Sequence, residues 1–237
     1  MARAAWLVRP RGLVPYEPAN RAMHELADRR LEGDVPDTLV LLEHEPVYTG
    51  GRRSHDEHLV ASADDIRERG AELHRVDRGG SFTFHGPGQL VGYPVLDLGP
   101  RPDALRYVRR LEEAVILAGR DAGIELHRSD VQTGVWSGTD KVCAIGVRIK
   151  RMRVTLHGFA VNCSTDLRWY DAIVPCGLEA TGVTSLSRLA GRSVEVDEMA
   201  PLVAHRFAEV FDVRFAEGPD EAFRLAGLRQ ASATTAN

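Results

Sequence analysis

Thr133-Gly-Val-Trp-Ser137, Lys141-Val-Cys-Ala-Ile-Gly-Val-Arg-Ile149 and Val154-Thr-Leu-His-Gly-Phe-Ala-Val-Asn162 follow one another with only short connections. Each has strand length and is rich in β-branched, aromatic or small apolar residues. Residues 73–76, 81–85 and 89–96 read the same way, broken by Gly and Pro. Runs of consecutive strands do not fit the strict strand–helix alternation of a doubly wound parallel sheet. The expected class is α/β or α+β, a mixed sheet flanked by helices.

Working outward, Tyr16, Ala19, Met23, Leu26, Ala27 and Leu31 recur near helical spacing, with Gly33 as a stop. Residues 63–69 predict a short helix ending at Gly70. The clearest helix spans 103–122, capped by Asp103, with Leu105, Val108, Leu111, Val115 and Leu117 or Ala118 as its buried face and Gly123 closing it. A final helix, 197–211, is expected to be capped by Asp197. Residues 6–8 and 38–42 complete the strands. The pattern shows neither an internal repeat nor a low-complexity linker. It predicts one domain over 1–215 and a tail over 216–237, disordered at its small, polar end.

The 237 residues are long enough for a sizeable core, and 43% hydrophobic with 27% charged is the balance of a globular protein. A net charge of -4 argues against a nucleic-acid binder that relies on a strongly basic face. No apolar run approaches the roughly 18–20 residues of a membrane span, and the N-terminal apolar run is too short for a secretory signal. Three cysteines do not make a disulfide framework. A reducing, cytoplasmic setting is expected, with no membrane partner and no nucleic acid.

Four stretches carry chemistry. Arg78 to Tyr93 holds five glycines in sixteen residues, beside Arg78, Thr83, His85 and Gln89. Glycine allows a backbone to approach a ligand closely, and this spacing matches neither a P-loop nor a dinucleotide fingerprint. Alone it fits a pocket wall or a ligand-free hairpin. Lys141 leads an apolar strand face it would share with Cys143, Ile145 and Val147. Such a lysine either reaches water at a strand end or stands beside a reacting group, where a desolvated amine exchanges protons nearer neutrality. His157-Gly158-Phe159-Ala160-Val161-Asn162 fits a core strand or a pocket wall. Pro175 and Gly177 place Cys176 in a turn, whereas Cys143 and Cys163 read as inert core thiols. A thiol needs a neighbouring cation or base to be a good nucleophile at neutral pH, and Lys141 is the best candidate.

Together these stretches resemble the octanoyltransferases of lipoate biosynthesis. The family's Arg-Gly-Gly, Thr-aromatic-His, Gly-Gln and Tyr are met by Arg78, Gly79, Gly80, Thr83, Phe84, His85, Gly88, Gln89 and Tyr93. Its lysine segment is met by Lys141 through Gly146, its His-Gly-x-Ala-x-Asn by His157 through Asn162, and its Pro-Cys-Gly by Pro175 through Gly177. The likeness covers about residues 38–211. It includes the Glu-His-x-Pro-Val-Tyr-Thr segment, where Glu45 stands in place of a frequent proline.

The resemblance implies the catalytic fold of biotin and lipoate protein ligases, with Cys176 and Lys141 as a catalytic dyad. It implies that Arg78, Gly79, Gly80, Ser81, Phe82, Thr83, Phe84, His85, Ala144, Ile145, Gly146, Gly158, Phe159 and Ala160 bind substrate. It further implies octanoyl-acyl carrier protein as donor and lipoyl-domain lysines as acceptors, in E2 subunits of 2-oxoacid dehydrogenases and the glycine cleavage H protein. An acyl-cysteine thioester would be the intermediate, no cofactor and no metal would be needed, and the chain would act as a monomer. Backbone N–H groups near Gly86 or Lys141, with His85 close by, would bind the oxyanion.

Three rivals stand beside this reading. An ATP-dependent lipoate or biotin ligase would not need Pro-Cys-Gly. A zinc site at His55 and His58 lacks the second cysteine of the deaminase pattern, Glu179 standing there. A silent carrier-binding module would not need Lys141 beside a reactive thiol. The basic run Arg148, Lys150, Arg151 and Arg153 reads as a solvated turn or as a dock for an acidic carrier protein.

Overall fold

The computed structural model describes residues 2–130, 132–174 and 182–220. In chain order its elements are β1 (Arg3–Val8), β2 (Leu13–Val14), α1 (Tyr16–Glu32), β3 (Asp37–His44), β4 (Val47–Gly50), α2 (Ala63–Glu68), β5 (Glu72–Arg75), β6 (Phe82–His85), β7 (Gln89–Val95), α3 (Ala104–Asp121), β8 (His127–Arg128), β9 (Val135–Ser137), β10 (Asp140–Lys150), β11 (Val154–Asn162), α4 (Leu186–Ala190), α5 (Val196–Phe211) and β12 (Val213–Glu217).

Among the described residues, nine strands form one mixed sheet in the order β12-β1-β3-β7-β11-β10-β9-β8, with β2 against β3. Pairing is parallel from β12 to β3 and antiparallel from β3 to β8. This is the mixed sheet that the consecutive strands require. One face is covered by α3 and α5, whose Leu111, Val115, Val203 and Phe207 pack on Leu39, Leu41, Leu90 and Val161. The other is covered by α1, whose Ala19, Met23 and Ala27 meet Val40, Val91 and Leu156. β11 is buried along its whole length because it lies between both layers. A second sheet, β5-β4-β6, leans on a separate cluster built from Tyr48, Ile66, Phe84 and Tyr170.

The helix ends obey local chemistry. The Asp103 side chain accepts the Arg106 N–H at 2.9 Å, and Gly33 closes α1 in the left-handed region at φ 86°. Two expectations need correction. Leu105 is exposed and Val108 only half-buried; Tyr107 and Ala114 join the expected Leu111, Val115 and Ala118 on the core face of α3. Glu195, not Asp197, holds the N-cap position of α5, which leaves Asp197 in the first turn, paired with Arg9 at 3.2 Å. The sheet also continues past residue 215: β12 runs through Glu217, and the Gly218 N–H still donates to Leu7 O at 2.9 Å. Among the described residues, no helix is long and apolar enough to cross a membrane.

The centre of the sheet tolerates no added volume at Gly158. A Cβ there would overlap the Gly92 carbonyl oxygen and stand 2.5 Å from Pro94 Cδ on the neighbouring strand. Gly158→Ala is expected to lose about 1–3 kcal/mol through this overpacking. Urea denaturation checks it: the midpoint should fall with the slope unchanged.

Candidate active site

A buried guanidinium helps to hold the segment between β5 and β6. Arg78 Nη2 donates to Thr49 O and Oγ1 at 2.6 and 2.8 Å, and Nη1 donates to Gly79 O and Ser81 O at 3.0 Å each. The loop then lies across β10, where the Gly79 N–H donates to Val147 O at 3.1 Å. A Cβ on Gly146 would sit 2.8 Å from Gly79 O and 3.2 Å from Arg78 Cδ, so a bare backbone at 146 is what lets the loop approach.

Loop, strands and helix α1 enclose a cavity of about 500 Å³, within the usual range of small-molecule sites. Thirteen of the fourteen residues expected at the substrate site line it: Arg78, Gly79, Gly80, Ser81, Phe82, Thr83, His85, Ala144, Ile145, Gly146, Gly158, Phe159 and Ala160. Phe84 does not. Strand alternation turns it away from the face of Thr83 and His85, and it packs on Tyr48 and stacks on Trp169 at 4.9 Å instead.

Lys141 also lines the cavity. It is buried, and its Nζ lies 4.6 Å from the centre of the Trp136 ring. It does not share a face with Cys143. The β9–β10 register shifts between the two residues, and this bulge sends Val142 and Cys143 into the core beneath α3 while Lys141 turns to the cavity. Burial pushes both core thiols up, Cys163 to about 12, which suits inert packing residues. Cys176, with Pro175 and Gly177, lies outside the described residues. The chain on either side of it is anchored at the cavity. The Val174 N–H donates to His58 O at 2.8 Å, and Gly182 O accepts the Lys141 N–H at 3.0 Å.

The oxyanion expectation changes accordingly. The Lys141 N–H is committed to Gly182. His85 Nδ1 lies 2.7 Å from Gln89 Oε1, an acceptor, so Nδ1 carries the hydrogen and Nε2 accepts, facing Thr49 Oγ1 at 3.4 Å. His85 is therefore oriented as an acceptor toward Thr49. Gln89 Nε2 donates to Asn162 Oδ1 at 2.9 Å, Asn162 Nδ2 donates to Thr184 O at 3.1 Å, and the Thr184 N–H donates to Lys141 O at 3.0 Å. A continuous hydrogen-bonded chain thus joins His85 to the backbone of Lys141.

His157 has φ 58° inside β11, a left-handed conformation uncommon for a residue with a side chain. It lines the cavity and lies 2.7 Å from Asp77 through Nε2. Desolvation, reinforced by Arg78 and neighbouring cations, lowers it to about 3, so this contact is a neutral N–H···carboxylate hydrogen bond, while Arg148 meets the Asp77 charge. His24, Asp77 and His157 bring three possible metal-ligand atoms within 4.8 Å of one another. Arg148 on the same carboxylate, with Lys150 and Arg78 nearby, opposes a cation there.

Tyr16, Arg53, His55, His58, Tyr93, Asn162 and Tyr170 also line the cavity. Tyr93 and Asn162 belong to the quoted motifs. Tyr16 was legible only as a buried helix residue, Arg53 and His55 come from a turn, and His58 and Tyr170 from 3-10 helices too short to show a periodicity.

A family model described as the lipoyl protein ligase A/B catalytic domain matches residues 15–208. The chain belongs to this family. Within the lipoyl protein ligase A/B family it is 48% identical over 200 residues to a protein of Rubrobacter xylanophilus named octanoyltransferase, covering 84% of this chain and 90% of that one. Among solved structures, a lipoate-protein ligase A bound with ATP superposes with a TM-score of 0.72 at 20% identity, covering 96% of this chain and 94% of that one. A bipartite archaeal lipoate protein ligase from Thermoplasma acidophilum, studied with its E2 lipoyl domain, gives 0.72 at 19% identity, covering 95% and 91%. These two likenesses show the fold.

The buried histidines make stability depend on pH. Burial lowers His44 to about 4 and His85 to about 3, as it does His157. All three stay neutral in the folded protein at pH values where an unfolded histidine, near 6.5, takes up a proton. The unfolded state therefore binds more protons between about pH 6.5 and pH 4, and stability falls as pH is lowered through that window. Each histidine contributes a slope of about 1.4 kcal/mol per pH unit. Denaturant titrations across the window should show the fall, and His44→Gln should flatten it by about one histidine's share.

Proposed function

We propose that the chain is an octanoyltransferase that moves an octanoyl group from octanoyl-acyl carrier protein to the lysine of a lipoyl domain through an acyl-Cys176 thioester. The observation that carries this reading is the cavity itself. Lys141 and the three glycine-bearing segments of the family signature wall one pocket, and the chain on both sides of Pro175-Cys176-Gly177 is hydrogen-bonded to residues of that pocket. The relative named octanoyltransferase and the ligase studied with an E2 lipoyl domain support the acyl group and the acceptor class.

In the first half-reaction the Cys176 thiolate attacks the donor thioester carbonyl. The carbon–sulfur bond to the pantetheine arm breaks, and Lys141 passes the thiol proton to the departing sulfur. In the second, the acceptor amine attacks the acyl-cysteine, Lys141 removes the proton that this amine loses, and the cysteine sulfur leaves. Thioester exchange is nearly balanced and amide formation from a thioester is downhill, so ATP is not required. Val91, Ile145, Phe159 and Ala160 give the cavity an apolar side for the alkyl tail. Its seven methyl and methylene groups, at about 0.8 kcal/mol each, supply about 5–6 kcal/mol.

Intact-mass spectrometry after mixing with octanoyl-acyl carrier protein, without ATP, should show a gain of one octanoyl group that Cys176→Ala abolishes. An adduct that persists in that variant would remove Cys176 as the nucleophile. Lys141→Ala should slow acyl transfer by about 10²–10⁴-fold while the fold, followed by circular dichroism, is kept.

A further inference from the structure

The turn after β4 carries Arg52 and Arg53, and Arg53 lines the cavity. Its backbone is bonded nearly residue by residue to the Arg78 loop. The Gly51 N–H donates to Ser81 O at 3.2 Å, Arg52 N–H to Arg78 O and Arg53 N–H to Gly80 O at 3.0 Å each, and Ser54 N–H to Gly51 O at 2.9 Å. A Cβ on Gly51 would sit 2.5 Å from Gly80 O, so the two loops touch through bare backbone. The two arginines are thus mounted on the same rigid wall as the pocket.

Their side chains are exposed, Arg53 lines the cavity, and neither makes an ion pair or side-chain hydrogen bond among the described residues. Arg75, which bonds Ser54 of the same turn, and Arg148, Lys150 and Arg153 of the 148–153 run have acidic partners. Arg75 pairs with Asp56, Arg148 with Asp77, Lys150 with Asp28 and Arg153 with Asp97. The basic run 148–153, which by sequence alone is a candidate dock for a carrier, is therefore largely neutralised from within the chain. In a protein of net charge -4, the Arg52–Arg53 turn is a local concentration of uncompensated positive charge beside the pocket.

We infer that Arg52 and Arg53 form an anion subsite that binds the phosphodiester at the base of the donor's pantetheine arm. This rests on the octanoyltransferase reading and assigns the donor's recognition to a place. Guanidinium groups match phosphate oxygens in a bidentate fork. With the thioester in the pocket, the arm leaves past a turn that offers two such forks. Phosphate binding there orients the donor and contributes nothing to the acceptor half-reaction, whose amine carries no phosphate.

The test compares octanoyl-pantetheine, octanoyl-4′-phosphopantetheine and octanoyl-acyl carrier protein as donors. The wild-type protein should prefer the phosphorylated small donor over the phosphate-free one in kcat/KM. The double variant Arg52→Ala/Arg53→Ala should lower that preference about tenfold or more, the loss expected for a charge-assisted hydrogen bond. Arg→Lys at both positions should restore part of it. A wild-type protein that uses both small donors equally well overturns the subsite, as does a double variant that keeps the preference. A penalty confined to the whole carrier protein would assign the arginines to acidic side chains and also overturn the phosphodiester assignment. Failure of the wild type with every thioester donor would instead count against the octanoyltransferase reading.

Discussion

The Arg78 guanidinium is a buried cation whose described partners include four oxygens of β4 and of its own loop. Losing those bonds would leave a charge stranded away from water, at a cost of several kcal/mol. The loop has no regular secondary structure, so this side chain, together with backbone bonds to the turn after β4 and to Val147, fixes its path. The same positive charge helps hold His85 and His157 neutral. The shape of the pocket and the protonation of its walls thus share one origin.

Neutrality has a structural purpose in this site. A neutral imidazole has one donor and one acceptor nitrogen, and His44 shows the arrangement clearly. Its Nδ1 donates to Val14 O at 2.8 Å and its Nε2 accepts from Tyr93 OH at 2.6 Å. His85 has the same polarity, donating to Gln89 and accepting from Thr49. Protonating either ring would place a charge away from water and turn the facing hydroxyl from donor to acceptor, so burial favours the neutral state. The result is a polar wall without net charge from its imidazoles, suited to an apolar acyl chain passing a polar reacting centre.

Much of this was legible in the sequence. The long strands and helices follow from periodicity, and the glycine-bearing segments from composition. What escaped has identifiable physical causes. β4 and β12 are short, and β12 is a strand only because β1 offers it a parallel edge. The bulge that separates Lys141 from Cys143 depends on pairing with Trp136 and Val135, partners a period-two pattern does not reveal. Phe84 lay inside a motif that reads as a unit, yet a strand must turn every second residue away. Arg53 and the residues around it sit on a turn whose meaning comes from a contact with Gly80, some distance along the chain.

The edge formed by β1 and β12 has a consequence for how the chain is made. Arg3 pairs with Val213 and Leu7 with Glu217, so the first described strand meets its outer neighbour only when the last described strand appears. Such sequence separation raises contact order, which slows folding. Until then one edge of β1 is an open template for any other extended chain. For a protein emerging residue by residue, the interval between β1 and β12 is when this edge is most exposed to association with the wrong partner.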